Sequence, residues 1–183
     1  MRNPPPSTAC RVSAARGIFL LLALTVAGCG FRPEKILASY VNIETVEAGR
    51  SQQCHTAGPE AQVALFADVA ALNAWQQARG VDLSGGHPLP EAPYAVIEMG
   101  AKATAGYGIA VSRGGVLRGD LVILQANFIG PPEGAATAQM LTSPCVLVRL
   151  PPGRYALAEV QDPDGTVRAR GAAPQPGAKG PAQ

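Results

Sequence analysis

A two-residue hydrophobic period constrains this chain most, and Leu121–Ile129 shows it best. Val122, Leu124, Ala126 and Phe128 make one face apolar. The other face begins with Leu121 and Ile123 and turns polar at Gln125 and Asn127. Successive strand side chains point to opposite faces, so this alternation fits a half-covered β-strand. The same period recurs over residues 94–99, 107–112, 145–150 and 154–161. Residues 40–47 give a first strand, with Val41 and Ile43 on one side. Gly114-Gly115 and Pro151-Pro152-Gly153 are expected turns, and Asp164-Gly165 is an expected hairpin turn into residues 166–170. Between strand patterns, residues 60–79 have apolar positions Leu65, Phe66, Val69, Leu72 and Trp75 at helical spacing, with Pro59 before and Gly80 after. The expected fold is mainly β (α+β): an antiparallel sheet, sandwich or barrel-like, with one N-terminal amphipathic helix packed on it.

The first 28 residues follow a different logic. Arg2, Arg11 and Arg16 precede an apolar run over 17–28, and no acidic residue appears before Glu34. A basic stretch followed by a short apolar core is the layout of a secretory signal. A spanning helix needs about 20 apolar residues, so this run is short for a permanent anchor. Val26-Ala27-Gly28-Cys29 resembles the lipobox of bacterial lipoproteins. That resemblance implies cleavage before Cys29, its acylation with chains such as palmitate, and attachment to the lipid bilayer. Gly30 rather than Asp after the cysteine implies the outer membrane, facing the periplasm.

Cleavage would alter the charge. The whole chain carries 15 basic and 13 acidic residues, a formal +2. Losing the three arginines leaves 12 basic residues and a formal −1. No clustered basic face supports nucleic-acid binding. The expected organisation is a signal peptide at 1–28, a lipid-attached tether at 29–39, one β-rich domain at 40–170 and a disordered tail at 171–183. That tail is Gly, Ala, Pro, Gln and one Lys, too poor in apolar surface to order itself. Of four cysteines, Cys10 leaves with the signal and Cys29 is spent on lipid. Cys54 and Cys145 remain as a candidate disulfide in an oxidising compartment, the alternative being two buried thiols.

No nucleophile elbow, phosphate loop, dinucleotide fingerprint or zinc-protease motif occurs in the chain. Its two histidines, His55 and His87, fall in loops, and no ligand pairs have zinc spacing. Asp82, Glu91 and Glu98 are scattered. The only catalytic arrangement to consider is a Cys54 nucleophile with His87 as a remote base. No enzyme activity, cofactor or metal is expected.

One connection stands out. Thr104, Ala105, Gly106 and Tyr107 join two strands, with Gly106 giving the backbone freedom a tight turn needs. Taken alone, this is an ordinary turn. Together with residues around it, the run from Val81 to about Asp162 resembles the PrcB C-terminal domain family. The matching segments are Val81-Asp82-Leu83-Ser84, then 95–100, then Lys102 through Tyr107. They continue with Pro131-Pro132-Glu133-Gly134, then Leu141-Thr142-Ser143-Pro144, then 146–150. Ala105 stands where the family tends to have Gly, and Cys145 where an aromatic residue is frequent.

That family is named for the lipoprotein subunit of a bacterial surface serine-protease complex. The resemblance therefore implies a non-catalytic protein-binding lipoprotein, its partner a secreted protease that it stabilises or regulates. Thr104, Ala105, Gly106, Tyr107, Thr142, Ser143 and Pro144 become the candidate partner-binding loops. Two alternatives stay open: a structural or assembly lipoprotein of the outer membrane with no protease link, and a chagasin-like protease inhibitor.

Overall fold

The computed structural model describes residues 40–174. Cys29, the signal expected at 1–28, the tether expected at 29–39 and the residues beyond Pro174 lie outside the described residues. The elements in chain order are β1 (Tyr40–Glu44), β2 (Val46–Ser51), β3 (Gln62–Phe66), α1 (Val69–Arg79) and β4 (Tyr94–Glu98). They continue with β5 (Gly108–Arg118), β6 (Leu121–Ile129), β7 (Cys145–Arg149), β8 (Leu157–Gln161) and β9 (Val167–Ala172). The chain is mainly β, with two sheets and one short helix. One sheet has the order β1-β5-β6-β8-β9 and the other β2-β7-β4-β3.

The two sheets share a core. Val122, Leu124, Ala126, Val160 and Ala169 from the five-stranded sheet meet Val63, Leu65, Ala95, Ile97, Val146 and Val148 from the four-stranded one. On β4 and β7 the intervening residues are also buried. Tyr94, Val96, Cys145 and Leu147 form a second cluster with Phe66, Leu72, Val81 and Leu83. The central strands β4 and β7 of the four-stranded sheet are thus buried on both faces, which is why all five residues of β4 are buried. Strands covered on both sides carry near-continuous apolar runs.

That double burial overturns the expected helix over 60–79. Its first part is β3, with Val63 and Leu65 in the core between the sheets and Phe66 in the other cluster. Leu65 and Phe66 therefore face opposite ways, and only the sequence spacing made them look like one helical face. The helix begins at Val69, where Asp68 caps it: its Oδ1 accepts from the Ala71 amide at 2.8 Å. It ends as expected at Gly80, whose left-handed backbone (φ 63°) receives the chain. Gln76 is buried rather than on an outer face, its Oε1 accepting from the Leu83 amide at 2.7 Å.

Four other expectations change. Residues 40–47 are two strands in different sheets, pivoting at buried Thr45, whose hydroxyl donates to Ser112 O at 2.9 Å. Gly114-Gly115 is not a turn but part of β5, beside a register shift between Val111 and Gly115. A Cβ on Gly115 would stand 3.0 Å from Ile123 O and 3.3 Å from Ile43 Cγ1, so glycine permits close strand approach there. The pairing is antiparallel except between β6 and β8, which run parallel. After β6 the chain crosses to the other sheet, lays down β7 and returns, so β8 re-enters in the direction of β6. β9 continues to Ala172, two residues beyond the expected domain end at 170.

Candidate functional site

The sequence offered two separate segments as partner-binding loops, and the structure brings them together. Lys102 and Thr142 exchange backbone hydrogen bonds, Lys102 N to Thr142 O at 2.7 Å and Thr142 N to Lys102 O at 2.8 Å. The Thr142 hydroxyl donates to Thr104 O at 3.1 Å. One residue on, the Ala105 amide donates to Ala138 O at 3.0 Å. The 104–107 turn is thereby fastened along the 130–144 connection at two levels.

Local backbone chemistry explains the turn. Gly106 has φ +94°, a conformation L side chains rarely adopt, and a Cβ there would lie 3.2 Å from Pro131 Cβ. Ala105 needs no such freedom, since the positive φ falls on Gly106 alone within the turn. Replacement of a family glycine by Ala105 is therefore compatible with the geometry. Tyr107 packs partly on the core between the sheets, its ring 3.4 Å from where a Gly130 Cβ would be. The Lys102 ammonium lies 5.9 Å from the centroid of that ring and donates to Pro59 O at 3.0 Å.

The seven candidate residues divide by exposure. Thr142, Ser143 and Pro144 are buried, so their side chains present nothing to a partner. They brace the connection from inside. The Ser143 hydroxyl accepts from the His55 amide at 2.8 Å, and its carbonyl accepts from Cys54 N at 3.0 Å. Gly106 is exposed, and Thr104, Ala105 and Tyr107 are half-buried. The side chains that stand out are Leu141, at 69% exposed and within the matching segment though not among the seven candidates, and its neighbour Met140, at 51% exposed and outside that segment. The two-residue pattern could not flag them, because they belong to an irregular connection.

Beneath this surface, Cys54 and Cys145 form a disulfide across 91 residues, with Cα atoms 6.0 Å apart. Both residues are buried. The bond pins the 52–56 segment to the start of β7, next to Ser143. A nucleophilic cysteine must act as a thiolate, and Cys54 in this bond carries none. His87, its conceivable base, lines a separate open groove of about 610 Å³ with Asp82, Asn73 and Gln77, and Cys54 is not among that groove's residues.

One charged pair lies below the disulfide. Glu98 is 2% exposed and its Oε1 accepts from Arg79 Nη1 at 2.5 Å. Burial pushes the Glu98 carboxyl above its usual range, and the Arg79 guanidinium pulls it back down. The Thr56 hydroxyl faces the same carboxylate without closing a hydrogen bond of ordinary geometry. Among the described residues no group of three metal-ligating side chains comes together, and no helix is long and apolar enough to cross a membrane.

Two sheets enclosing one core, a short helix beside the smaller sheet and a pair of fastened loops define a mainly β, two-sheet domain. Residues 93–151 match the family model described as PrcB C-terminal, the family the sequence resembles. The match runs from the residue before β4 to just past β7, and so contains both fastened loops. It is narrower than the stretch expected from the sequence, leaving Val81 to Ser84 outside. No curated protein and no solved structure matches the chain.

Proposed function

We propose that this chain is a non-catalytic envelope lipoprotein whose β-domain binds another protein through the 104–107 turn and the adjoining 130–141 loop. One observation carries the reading. Met140 and Leu141 expose large apolar side chains immediately before buried Thr142, which fastens that connection to Thr104. Exposed apolar surface marks sites of interaction. A loop already held in place loses less entropy when it binds. The PrcB C-terminal segment supports a secreted protease, stabilised or regulated, as the kind of partner. The Val26-Ala27-Gly28-Cys29 sequence supports attachment through acylated Cys29, placing the domain at the periplasmic side of the outer membrane.

The test places a photo-crosslinking residue at Leu141 in the full chain, expressed in its own envelope. A discrete crosslinked protein is expected, reduced at least tenfold by Thr104→Ala or Tyr107→Ala while the chain stays folded. Mass analysis of the membrane-extracted protein should show acyl chains on Cys29, and Cys29→Ser should release the protein from membranes. Absence of any discrete crosslink at Leu141 would sink the binding role and favour a structural lipoprotein. A Cys29→Ser protein that remains membrane-bound would sink the anchor.

A further inference from the structure

The two sheets have four edge strands between them: β1, β9, β2 and β3. Three are met by other chain segments. β9 lies against β3 so closely that a Cβ on Gly171 would overlap the Val63 carbonyl. β2 lies against the 81–86 loop, where a Cβ on Gly49 would overlap the Leu83 carbonyl. Among the described residues β1 pairs with β5 alone, and no backbone hydrogen bond joins Tyr40, Asn42 or Glu44 to any other segment. That strand is Tyr40-Val41-Asn42-Ile43-Glu44, with Tyr40 65% and Val41 49% exposed and no lysine or proline. Natural proteins guard open edges with such residues or cover them.

The backbone direction of each β1 residue follows from one hydrogen bond. Thr45 N donates to Arg113 O at 2.7 Å, continuing the antiparallel register in which Glu44 stands opposite Gly114. Bonded and non-bonded pairs alternate in such a ladder. Ile43 and Val41 therefore point their amides and carbonyls toward β5. Tyr40, Asn42 and Glu44 point theirs outward. The outward set is symmetric about Asn42.

We propose that β1 pairs antiparallel with β1 of a second copy of this chain, with the twofold axis at Asn42. The proposal is independent of the partner-binding reading above, which concerns different loops. In this register Asn42 meets Asn42 of the second copy, and Tyr40 meets Glu44 of the second copy, satisfying every outward backbone group of the strand. The side chains also complement. Arg118 is the register partner of Tyr40 on β5 and donates to the Tyr40 hydroxyl at 3.4 Å. It would share a sheet face with Glu44 of the second copy, on the other side of Tyr40. Glu44 makes no ion pair among the described residues. A symmetric interface needs this self-complementarity.

The test uses the full chain in detergent, with wild type as the control for its own cysteines. Opposed bonded residues have Cα atoms about 5.5 Å apart, within disulfide range. Asn42→Cys should give an interchain disulfide dimer on mild oxidation, at least tenfold more than Val41→Cys, which lies off the axis. Asn42→Pro removes an amide that points away from β5, so the monomer should fold with unchanged Tm while concentration-dependent dimerisation is lost. Arg118→Glu should weaken the dimer, and adding Glu44→Arg should restore it. A wild-type chain that stays monomeric at every concentration would overturn the proposal. So would a folded Asn42→Pro protein that dimerises normally, or equal crosslinking at positions 41 and 42.

Discussion

Arg79, the last residue of α1, holds its guanidinium 2.5 Å from the carboxylate of Glu98, the last residue of β4. The same guanidinium lies 4.6 Å from the Trp75 ring centroid and 3.4 Å from Cys54 O. Trp75 in turn meets Phe66 edge-on at 5.6 Å. One side chain thus joins the helix end, the buried strand and the disulfide-bearing segment. The carboxylate has left water, so its partner matters more than a surface partner would.

Replacing Arg79 by Met leaves Glu98 buried without its cation. The expected loss is about 2–3 kcal/mol at neutral pH, toward the lower end for a buried pair because Arg79 is partly exposed. The effect depends on pH with a definite sign. Glu98 holds its proton more tightly in the folded chain than in the unfolded one, so its contribution is fully present below the unfolded value and lost as pH rises through the folded value. Without Arg79 the folded value rises further and the window of loss extends upward. The Tm gap between wild type and Arg79→Met should therefore shrink as pH falls toward 4. A gap that stays constant or widens on acidification would contradict this account of the pair.

The disulfide supports a second expectation. Closing a loop of this length, 91 residues apart, restricts the unfolded chain by about 4.6 kcal/mol in the entropic model. Cys54→Ala with Cys145→Ala should lower stability by roughly 2–5 kcal/mol in denaturant titration. The loss should be accompanied by faster amide exchange at Cys54 and His55, whose amides bond to Ser143. Unchanged exchange there would mean that the 52–56 segment is held without the bond.

The strands were legible in the sequence wherever one face meets solvent. Leu121–Ile129 shows its period because Gln125 and Asn127 emerge on the outer side. β3 did not, because Val63 and Leu65 run directly into Phe66 and α1, so its apolar positions continue at spacings a helix also uses. Gly115 was misread for a related reason: a glycine pair signals a turn locally, but here it serves strand approach, a tertiary fact. Loop proximity was even less accessible. Nothing in residues 102–107 and 138–144 taken separately specifies that Thr142 reaches Thr104. The motif reading chose two segments that do meet, yet the candidates it took from the second were buried Thr142, Ser143 and Pro144, leaving aside exposed Leu141 at its start and Met140 before it.

Gly171 tests where the domain ends. Its lack of a side chain lets β9 lie against the Val63 carbonyl on β3. Gly171→Ala should force the two strands apart and cost about 1–3 kcal/mol, the scale of overpacking in a well-filled interior. Denaturant midpoints would measure it. A silent substitution would place Gly171 in the tail, as its composition suggested.

Thr142 gives the sharpest test of the fastened loops. Its hydroxyl donates to Thr104 O, while its backbone separately pairs with Lys102. Thr142→Val keeps shape and backbone pairing but leaves a partly buried carbonyl without that donor, at a cost of about 1 kcal/mol. Thr142→Ser keeps the donor and should restore most of the stability. The local consequence is more specific than the global one. Ala105 N bonds to Ala138 O beside this contact, so its amide should exchange faster in Thr142→Val and not in Thr142→Ser. Equal acceleration in both variants would mean that the methyl group holds the turn, and no change in either would mean that the Lys102 pairing alone suffices.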